Sequence, residues 1–284
     1  MTSFWQWWQQ LPHHIDPVLI SLGGFEIRYY GLMYLVAFGV AWWIMRYRIR
    51  HDEVDISMSQ VNDYMFWSIL AVLVGGRLGY VLFYDLGYYL SHPLAVILPF
   101  STEQGLHFTG FRGMSFHGGA LAVALVTIVF CRKRGIRITE FGDLLVSAVP
   151  LAYTFGRLGN FINGELYGRV THLPWGMSFP EAPGAALRHP SQLYEAFFEG
   201  IVLFILIWWL RGRVQRPGRL LGIYLVGYSA FRFGIEFVRE PDAHLGFVAG
   251  ALTMGQVLCL VMGAAGLILL LWNRKSNRKP PKSA

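Results

Sequence analysis

The stretch FVAGALTMGQVLCLVMGAAGLILLLW, residues 247–272, contains no charged side chain. Because about 20 apolar residues in an α-helix cross the hydrocarbon core of a bilayer, this stretch predicts a transmembrane helix. Similar apolar runs recur along the rest of the chain. We place seven spans, in chain order, at residues 30–45, 65–84, 116–131, 143–162, 192–210, 219–237 and 248–272. The sequence therefore predicts an all-α polytopic membrane protein of about seven transmembrane helices.

The composition agrees with this fold class. Hydrophobic residues make up 54% of the 284 residues and charged residues only 14%, against about 25% charged residues in a soluble domain. We therefore expect residues 1–284 to form a single integral membrane domain. The first fifteen residues lack the basic stretch of a cleavable signal peptide. They hold Trp5, Trp7 and Trp8, which are typical of an interfacial segment.

The residue types that bind metals are few and scattered. Both cysteines, Cys131 and Cys259, fall in apolar runs, which favours buried thiols over a disulfide or a metal pair. No spacing of histidines and carboxylates converges on a metal site. We expect no metal and no cofactor.

The distribution of basic residues predicts the orientation. The segments after spans one, three, five and seven hold sixteen of the 24 Lys and Arg residues. They are Arg46, Arg48, Arg50, Arg132, Lys133, Arg134, Arg137, Arg211, Arg213, Arg216, Arg219, Arg274, Lys275, Arg278, Lys279 and Lys282. The positive-inside rule places this side in the cytoplasm and the N-terminus outside. Residues 163–190 then form a small outer loop region and residues 273–284 a basic cytoplasmic tail. The net charge of +7 is thus a topology signal, and we expect no nucleic-acid partner.

Three basic residues, Arg77, Arg157 and Arg232, lie inside the predicted spans. Such residues are costly in hydrocarbon and usually face a cavity or a partner. Each lies one to two helical turns from the outer end of its span. Other polar residues enter from that same end, namely Tyr30, His117, Glu195, Glu199 and Glu236. We therefore expect a polar cavity in the outer half of the membrane. A transporter would normally place such groups near the midplane.

Two motifs combine arginine with amide or carboxylate residues. In GRLGNFINGE, residues 156–165, Arg157 and Asn160 are three apart and share a helix face. A guanidinium beside an amide suits a phosphate diester, because it can donate two parallel hydrogen bonds. The alternative is that Arg157 only pairs with a neighbouring glutamate. In YSAFRFGIEFVREPD, residues 228–242, Arg232 and Glu236 are four apart and Arg239 follows. Here the alternative is a local ion pair at a helix end.

Two further motifs carry a histidine and a polar stripe. In GMSFHGG, residues 113–119, glycines follow His117 and leave it accessible, although a lone histidine in a membrane protein is more often structural. In HPSQLYE, residues 189–195, and onward, Gln192, Glu195 and Glu199 follow one helix face. That stripe could instead serve interhelical hydrogen bonding.

Together these motifs resemble the bacterial prolipoprotein diacylglyceryl transferases. The matching segments are residues 29–34, 75–80, 114–119, 156–165, 189–195 and 231–242. They span nearly the whole chain in order, and GRLGNFINGE is the most specific. The outer loop from Thr171 to Leu187 is the least family-like part.

The resemblance implies an enzyme of the bacterial cytoplasmic (inner) membrane. It implies transfer of the diacylglyceryl group of phosphatidylglycerol to the lipobox cysteine thiol of a prolipoprotein signal peptide, with release of glycerol phosphate. The roles it implies are catalytic for His117, Arg157 and Arg232, with His117 activating the thiol. It implies substrate binding by Tyr30, Arg77, Asn160, Glu165, Glu236 and Arg239. A lipid or anion transporter using the same arginines is the alternative from another class, and a non-catalytic scaffold is a third.

Overall fold

The computed structural model describes residues 4–22, 25–51, 54–96, 100–101, 107–108, 113–214, 216–240, 247–249 and 252–271. Helices make up most of it. In chain order they are α1 (Phe4–Gln10), α2 (Tyr29–His51), α3 (Met58–Phe83), α4 (Leu86–Ser91), α5 (Phe116–Arg134), α6 (Ile138–Leu145), α7 (Val149–Ile162), α8 (Ser191–Glu195), α9 (Leu203–Leu210), α10 (Arg219–Ile235) and α11 (Met254–Leu271). A π-helix, Ala196–Val202, joins α8 to α9, and 3-10 turns cover Leu11–His14 and Pro93–Val96.

The strands are short and lie between the helices. They are β1 (Val18–Leu22), β2 (Phe25–Arg28), β3 (Phe100–Ser101), β4 (His107–Phe108), β5 (Phe247–Ala249) and β6 (Leu252–Thr253). They form three two-stranded sheets, β1–β2, β3–β4 and β5–β6.

All seven predicted spans contain helix, with boundaries that differ from the prediction. The prediction of helix from residue 248 is wrong, because residues 247–249 and 252–253 pair as strands and α11 begins at Met254. The helix of the second predicted span, α3, begins at Met58 and not near residue 65, because Ser57 and Gln60 form a reciprocal capping box there. The fourth predicted span is divided between α6 and α7.

Within the part of the chain that the structure describes, three helical runs are long and apolar enough to cross a bilayer: Met58–Phe83, Ser191–Leu210 and Met254–Leu271. Large apolar side chains on them are exposed, for example Phe66, Val261 and Leu271. Contact with lipid tails is favourable for such apolar side chains, whereas their exposure to water is unfavourable. The chain is a helical membrane protein, and seven remains the predicted number of its spans.

The chain divides into two compact units. The first contains residues 1–20, 27–48 and 142–284, and the second contains residues 21–26 and 49–141. Glycines allow close helix contacts within each. A Cβ atom on Gly118 of α5 would lie 2.3 Å from the carbonyl oxygen of Gly75 on α3. A Cβ atom on Gly266 of α11 would lie 2.9 Å from the carbonyl oxygen of Gly222 on α10. Such small-residue contacts are characteristic of helix packing in membranes.

Within the first unit, Asp143 of α6 fixes the beginning of α10. Its carboxylate accepts hydrogen bonds from the backbone N–H groups of Gly218 (2.7 Å) and Leu221 (2.8 Å). Arg48 of α2 donates to the backbone carbonyl of Asp143 at 2.8 Å. A helix begins with N–H groups that have no partner in the helix itself, so this buried carboxylate supplies the missing acceptor.

The segment 163–190 is folded within the first unit. Its backbone forms isolated bridges between Gly168 and Arg239, and between Arg188 and both Val170 and Met177. Phe161, Met177 and Phe179 make a small buried core, and side chains of the N-terminal segment, Trp8, Leu11 and Ile15, pack against it. The indole N–H of Trp8 donates to the carbonyl of Trp175 at 3.0 Å. This loop is therefore an ordered layer on the helices.

Candidate functional site

Glu195, the last residue of α8, is the centre of a buried polar cluster in the first unit. Its carboxylate is 2.7 Å from Nε of Arg157 on α7 and 2.9 Å from Nη1 of Arg232 on α10. Nε of Arg239 is 3.8 Å from it. The Glu195 side chain is only 1% exposed. Three guanidinium groups from different parts of the chain thus converge on one buried carboxylate.

A tyrosine below Arg157 ties two carboxylates together. Tyr153 lies one helical turn before Arg157 on α7, and the Arg157 guanidinium carbon stands 4.8 Å from the centre of its ring. The Tyr153 hydroxyl donates to Glu199 at 2.6 Å and lies 3.3 Å from Glu195. The ring therefore supports the guanidinium by a cation–π contact while its hydroxyl satisfies the acids beside it.

The π-helix sets the position of Glu199. It packs against α7 so closely that a Cβ atom on Gly200 would lie 2.0 Å from Oγ1 of Thr154. π-Helical segments are rare and frequently occur at functional sites. Here the wide turn follows Glu195 directly and contains Glu199, and both carboxylates contact Tyr153.

Arg232 and Arg239 share a second carboxylate. Oε2 of Glu236 forms an ion pair with Nη2 of Arg232 at 3.2 Å, and its other oxygen is 3.8 Å from Nη1 of Arg239. The Thr253 hydroxyl donates to it at 3.1 Å. A Cβ atom on Gly255 would lie 2.8 Å from the same carboxylate. The absence of a side chain at Gly255 therefore makes room for Glu236. We call the following six residues the arginine–glutamate cluster: Arg157, Glu195, Glu199, Arg232, Glu236 and Arg239.

A chain of amides extends from Arg157 along GRLGNFINGE. Nη1 of Arg157 donates to Oδ1 of Asn160 at 3.2 Å, and Nδ2 of Asn160 donates to Glu165 at 2.8 Å. Gln192 donates to the backbone carbonyl of Glu165 at 2.6 Å. Tyr30 belongs to the same region, because a Cβ atom on Gly159 would lie 3.2 Å from its ring. The predicted site residues Tyr30, Arg157, Asn160 and Glu165 thus form one neighbourhood.

The outer loop holds the backbone of Arg239 in place. Arg169 donates its backbone N–H to Val238 at 2.8 Å and its side-chain Nε to the carbonyl of Arg239 at 3.0 Å. Arg188 donates to Glu240 at 2.8 Å. Nearby, partial burial lowers the pKa of the His189 imidazole below its usual value, which favours the neutral ring.

Arg77 and His117 belong to the second unit. Arg77 donates to the backbone carbonyls of Val96 (3.0 Å), Ala95 (2.5 Å) and Gly113 (3.3 Å). Its guanidinium carbon stands 5.0 Å from the centre of the Tyr89 ring. His117 is exposed at the start of α5, where the Ser115 hydroxyl accepts from the Gly118 N–H as a helix cap.

The ion pairs weighed as alternatives to phosphate binding are present. Arg157 pairs with Glu195, and Arg232 pairs with Glu236 at the C-terminal cap of its own helix. These pairs do not replace a binding role, because each guanidinium carries five N–H donors. The side chains of Arg157 and Arg232 also retain 12% and 13% exposure. Their predicted action on phosphate stays a prediction.

Sequence reasoning missed Tyr153 and Thr253, and it read Glu195 only as part of a polar stripe. Tyr153 could have been found by its spacing, since it is four residues before Arg157 on one helix face. Thr253 carries no such signal, because it comes from a different element.

The chain is similar to known proteins over nearly its whole length. The family model for prolipoprotein diacylglyceryl transferase matches residues 17–272. A phosphatidylglycerol–prolipoprotein diacylglyceryl transferase of Chlorobaculum tepidum is 50% identical over 276 residues, covering 97% of this chain and 96% of that protein. A protein of the same name from Bordetella avium is 47% identical, covering 93% of this chain and 97% of its own. Another, from Nitratidesulfovibrio vulgaris, is 47% identical with 94% and 97% coverage.

Proposed function

Because the chain belongs to the prolipoprotein diacylglyceryl transferase family, we propose that it moves the diacylglyceryl group of phosphatidylglycerol to the lipobox cysteine thiol of a prolipoprotein. The protein is a membrane-bound transferase. The observation that carries the assignment of its site is the convergence of Arg157 and Arg232 on the buried carboxylate of Glu195.

The reaction sets clear demands on the site. The cysteine sulfur attacks the glyceryl carbon that bears the phosphate ester, an S–C bond forms, and the C–O bond to phosphate breaks. The electron pair of that bond leaves with glycerol phosphate, and the thiol proton passes to a base. Negative charge therefore develops on the phosphate, and donors fixed in advance stabilise it best. The thiol must also be encouraged to ionise, because its ordinary pKa is about 8.5.

The arginine–glutamate cluster meets the first demand. The planar guanidiniums of Arg157 and Arg232 can each direct two N–H groups at one phosphate, which a lysine cannot do. Glu195 holds both by ion pairs shorter than 3 Å, so the donors need little reorganisation when the anion arrives. Asn160 and Glu165 extend the polar surface and would position the glycerol headgroup. Tyr30, Glu236 and Arg239 complete the proposed lipid-binding set.

We assign activation of the thiol to His117. It is exposed at the start of α5, and histidine is the side chain that most often serves as a general base in enzymes. A carboxylate could take the proton instead, or arginines could lower the thiol pKa without any base. Arg77 also belongs to the lipid-binding set implied by the resemblance, and the alternative for it is a structural role, because it donates to the backbone carbonyls of Val96, Ala95 and Gly113.

For the topology, the proposal is seven spans in the bacterial inner membrane with the N-terminus outside. The sixteen basic residues on one side support this orientation. It places residues 163–190 outside and residues 273–284 in the cytoplasm. Glu181 in the loop is exposed, so a Glu181→Cys variant in intact cells should react with a membrane-impermeant thiol reagent. Reaction only after the membrane is opened would reverse the orientation.

One assay tests the activity directly. Purified full-length protein in detergent receives phosphatidylglycerol and a synthetic lipobox peptide, and mass spectrometry follows the peptide. We expect the mass of one diacylglyceryl group on the cysteine and an equal amount of free glycerol phosphate. The same peptide with serine in place of cysteine should gain nothing. A protein that moves labelled phosphatidylglycerol between leaflets yet forms no adduct would be a transporter instead.

A further inference from the structure

The charges of the arginine–glutamate cluster already balance before any lipid enters. Three guanidinium groups face three carboxylates, and the side chains of Glu195, Glu199 and Glu236 are at most 3% exposed. A phosphate diester brings one more negative charge into this poorly solvated place. An uncompensated buried charge is costly. A proton taken up with the lipid would restore the balance.

Glu199 is the carboxylate whose charge is least supported. Glu195 lies within 3 Å of two guanidinium groups, and Glu236 pairs with Arg232 at 3.2 Å and accepts from Thr253. For Glu199 the nearest guanidinium nitrogen, Nη1 of Arg232, is 3.9 Å away. Within the described part of the chain Oε1 of Glu199 accepts no hydrogen bond, but neither does Oε1 of Glu195 or Oε2 of Glu236, so it is the distance to the nearest guanidinium that distinguishes Glu199. A nearby cation favours the charged form of a carboxylate. Protonation therefore costs least at Glu199, whose nearest guanidinium is the most distant of the three.

The titratable and charged groups around Glu199 leave it the most suitable acceptor. They are Tyr153 and Arg157 on α7, Glu195 at the end of α8, Tyr224, Tyr228 and Arg232 on α10, and Cys259 on α11. Among them Glu195 is the other carboxylate, and guanidinium nitrogens of Arg157 and Arg232 lie within 3 Å of it. The Tyr153 hydroxyl, 2.6 Å from Glu199 and 3.3 Å from Glu195, also links the two acids.

We propose that Glu199 takes up one proton from solvent when the lipid phosphate binds beside Arg157 and Arg232, and so compensates its charge. The proposal rests on the proposed function, which brings that phosphate to the cluster. Glu199 is here a charge-compensating residue: it need not touch the lipid. The linkage has a definite sign. Because binding consumes a proton, affinity for phosphatidylglycerol falls as pH rises, by up to about tenfold per pH unit.

The test is calorimetry of the full chain in uncharged detergent without peptide. Phosphatidylglycerol is titrated in two buffers that differ in ionisation enthalpy, and the difference in heat counts the protons bound. Wild type should take up about one proton per lipid bound. Glu199→Gln, already neutral, should take up none, should bind at least as tightly, and should lose the pH dependence. Glu181→Gln, a change at an exposed loop carboxylate, should behave as wild type.

Two further titrations identify what triggers the uptake. Diacylglycerol with the same acyl chains has no phosphate and should cause none. Inorganic phosphate should cause uptake without the acyl chains only if the cluster binds the anion alone, and uptake with phosphatidylglycerol but not inorganic phosphate assigns the site to the lipid headgroup. Either result supports the charge argument.

The failures are separable. Binding of phosphatidylglycerol to wild type with no proton uptake overturns the proposal, whatever the variants do. Unchanged uptake in Glu199→Gln places the proton elsewhere and also overturns it. If that variant does not fold, Tyr153→Phe replaces it. This variant lacks the hydroxyl that supports charged Glu199, so its proton uptake should occur at higher pH than that of wild type. A pH profile identical to that of wild type counts against the proposal. Failure of the proposed function would look different, as no adduct in the peptide assay and no binding at any pH.

Discussion

The same four-residue sequence, GRLG, occurs at residues 76–79 and 156–159, and its two arginines contact different kinds of group. Arg77 on α3 donates to backbone carbonyls of the segments around Ala95 and Gly113. Arg157 on α7 pairs with the buried side chain of Glu195. The first holds main chain in place, and the second is part of the arginine–glutamate cluster. The same short motif therefore does not fix the role of its arginine, because the neighbouring elements determine which groups the guanidinium contacts.

We expect the largest effect on stability when the charge of Glu195, the carboxylate that pairs with Arg157, is removed. Glu195→Gln leaves Arg157 and Arg232 without their closest counter-ion, and breaking a buried pair costs about 3–5 kcal/mol. Thermal unfolding in detergent should show a large fall in Tm. Glu240→Gln is the matched control, because its side chain is 50% exposed in its pair with Arg188; exposed pairs contribute about 0–1 kcal/mol. Equal shifts for both would mean that the cluster stores no special stability.

Arg157 itself should matter most for turnover. We expect Arg157→Ala to lower the rate of adduct formation about 10²–10³-fold, the effect of removing one donor to a developing anion. Arg157→Lys should recover little of it, because an ammonium group lacks the two-donor plane. Full activity of folded Arg157→Ala would remove this residue from the chemistry.

In the second unit, substitution of His117 tests its proposed role as the base that activates the thiol. His117→Gln should bind phosphatidylglycerol normally and lose turnover about 10²-fold, the lower range for a general base. Its residual rate should rise with pH as thiolate forms unaided. Loss of lipid binding with an unchanged pH profile would instead make His117 a positioning residue.

The smallest effect should come from the other GRLG arginine. Arg77→Lys keeps a cation that can still donate to carbonyls, so we expect the activation free energy of adduct formation to rise by about 1.5 kcal/mol, the lower end of the range for one hydrogen bond to a charged group. The comparison with Arg157→Lys in the same adduct assay is direct. A loss as severe at Arg77 as at Arg157 would support the substrate-binding role predicted from the sequence.

Much of this architecture is readable in the sequence, for physical reasons. Apolar runs report where helices form, and residues three or four apart report what shares a face, as with Arg157 and Asn160. The pairing of Arg157 with Glu195 could not be predicted, because it depends on how α7 and α8 pack. The π-helix was also out of reach, since reading Glu195 and Glu199 as one stripe assumes 3.6 residues per turn throughout. The β5–β6 hairpin escaped notice because its residues are as apolar as the helix that follows.

The contact between Asp143 and the beginning of α10 has a mechanical consequence. The carboxylate grips two N–H groups at one end of the helix, and Arg232 lies near the other end of its 17 residues. At 1.5 Å per residue, the thirteen steps from Arg219 to Arg232 make a rod of about 20 Å. Because Asp143 holds the N-terminal end of α10, the length of the helix determines the distance of Arg232 from that contact. One residue inserted between them would move the guanidinium by about 1.5 Å along the helix axis and rotate it by about 100° away from Glu195.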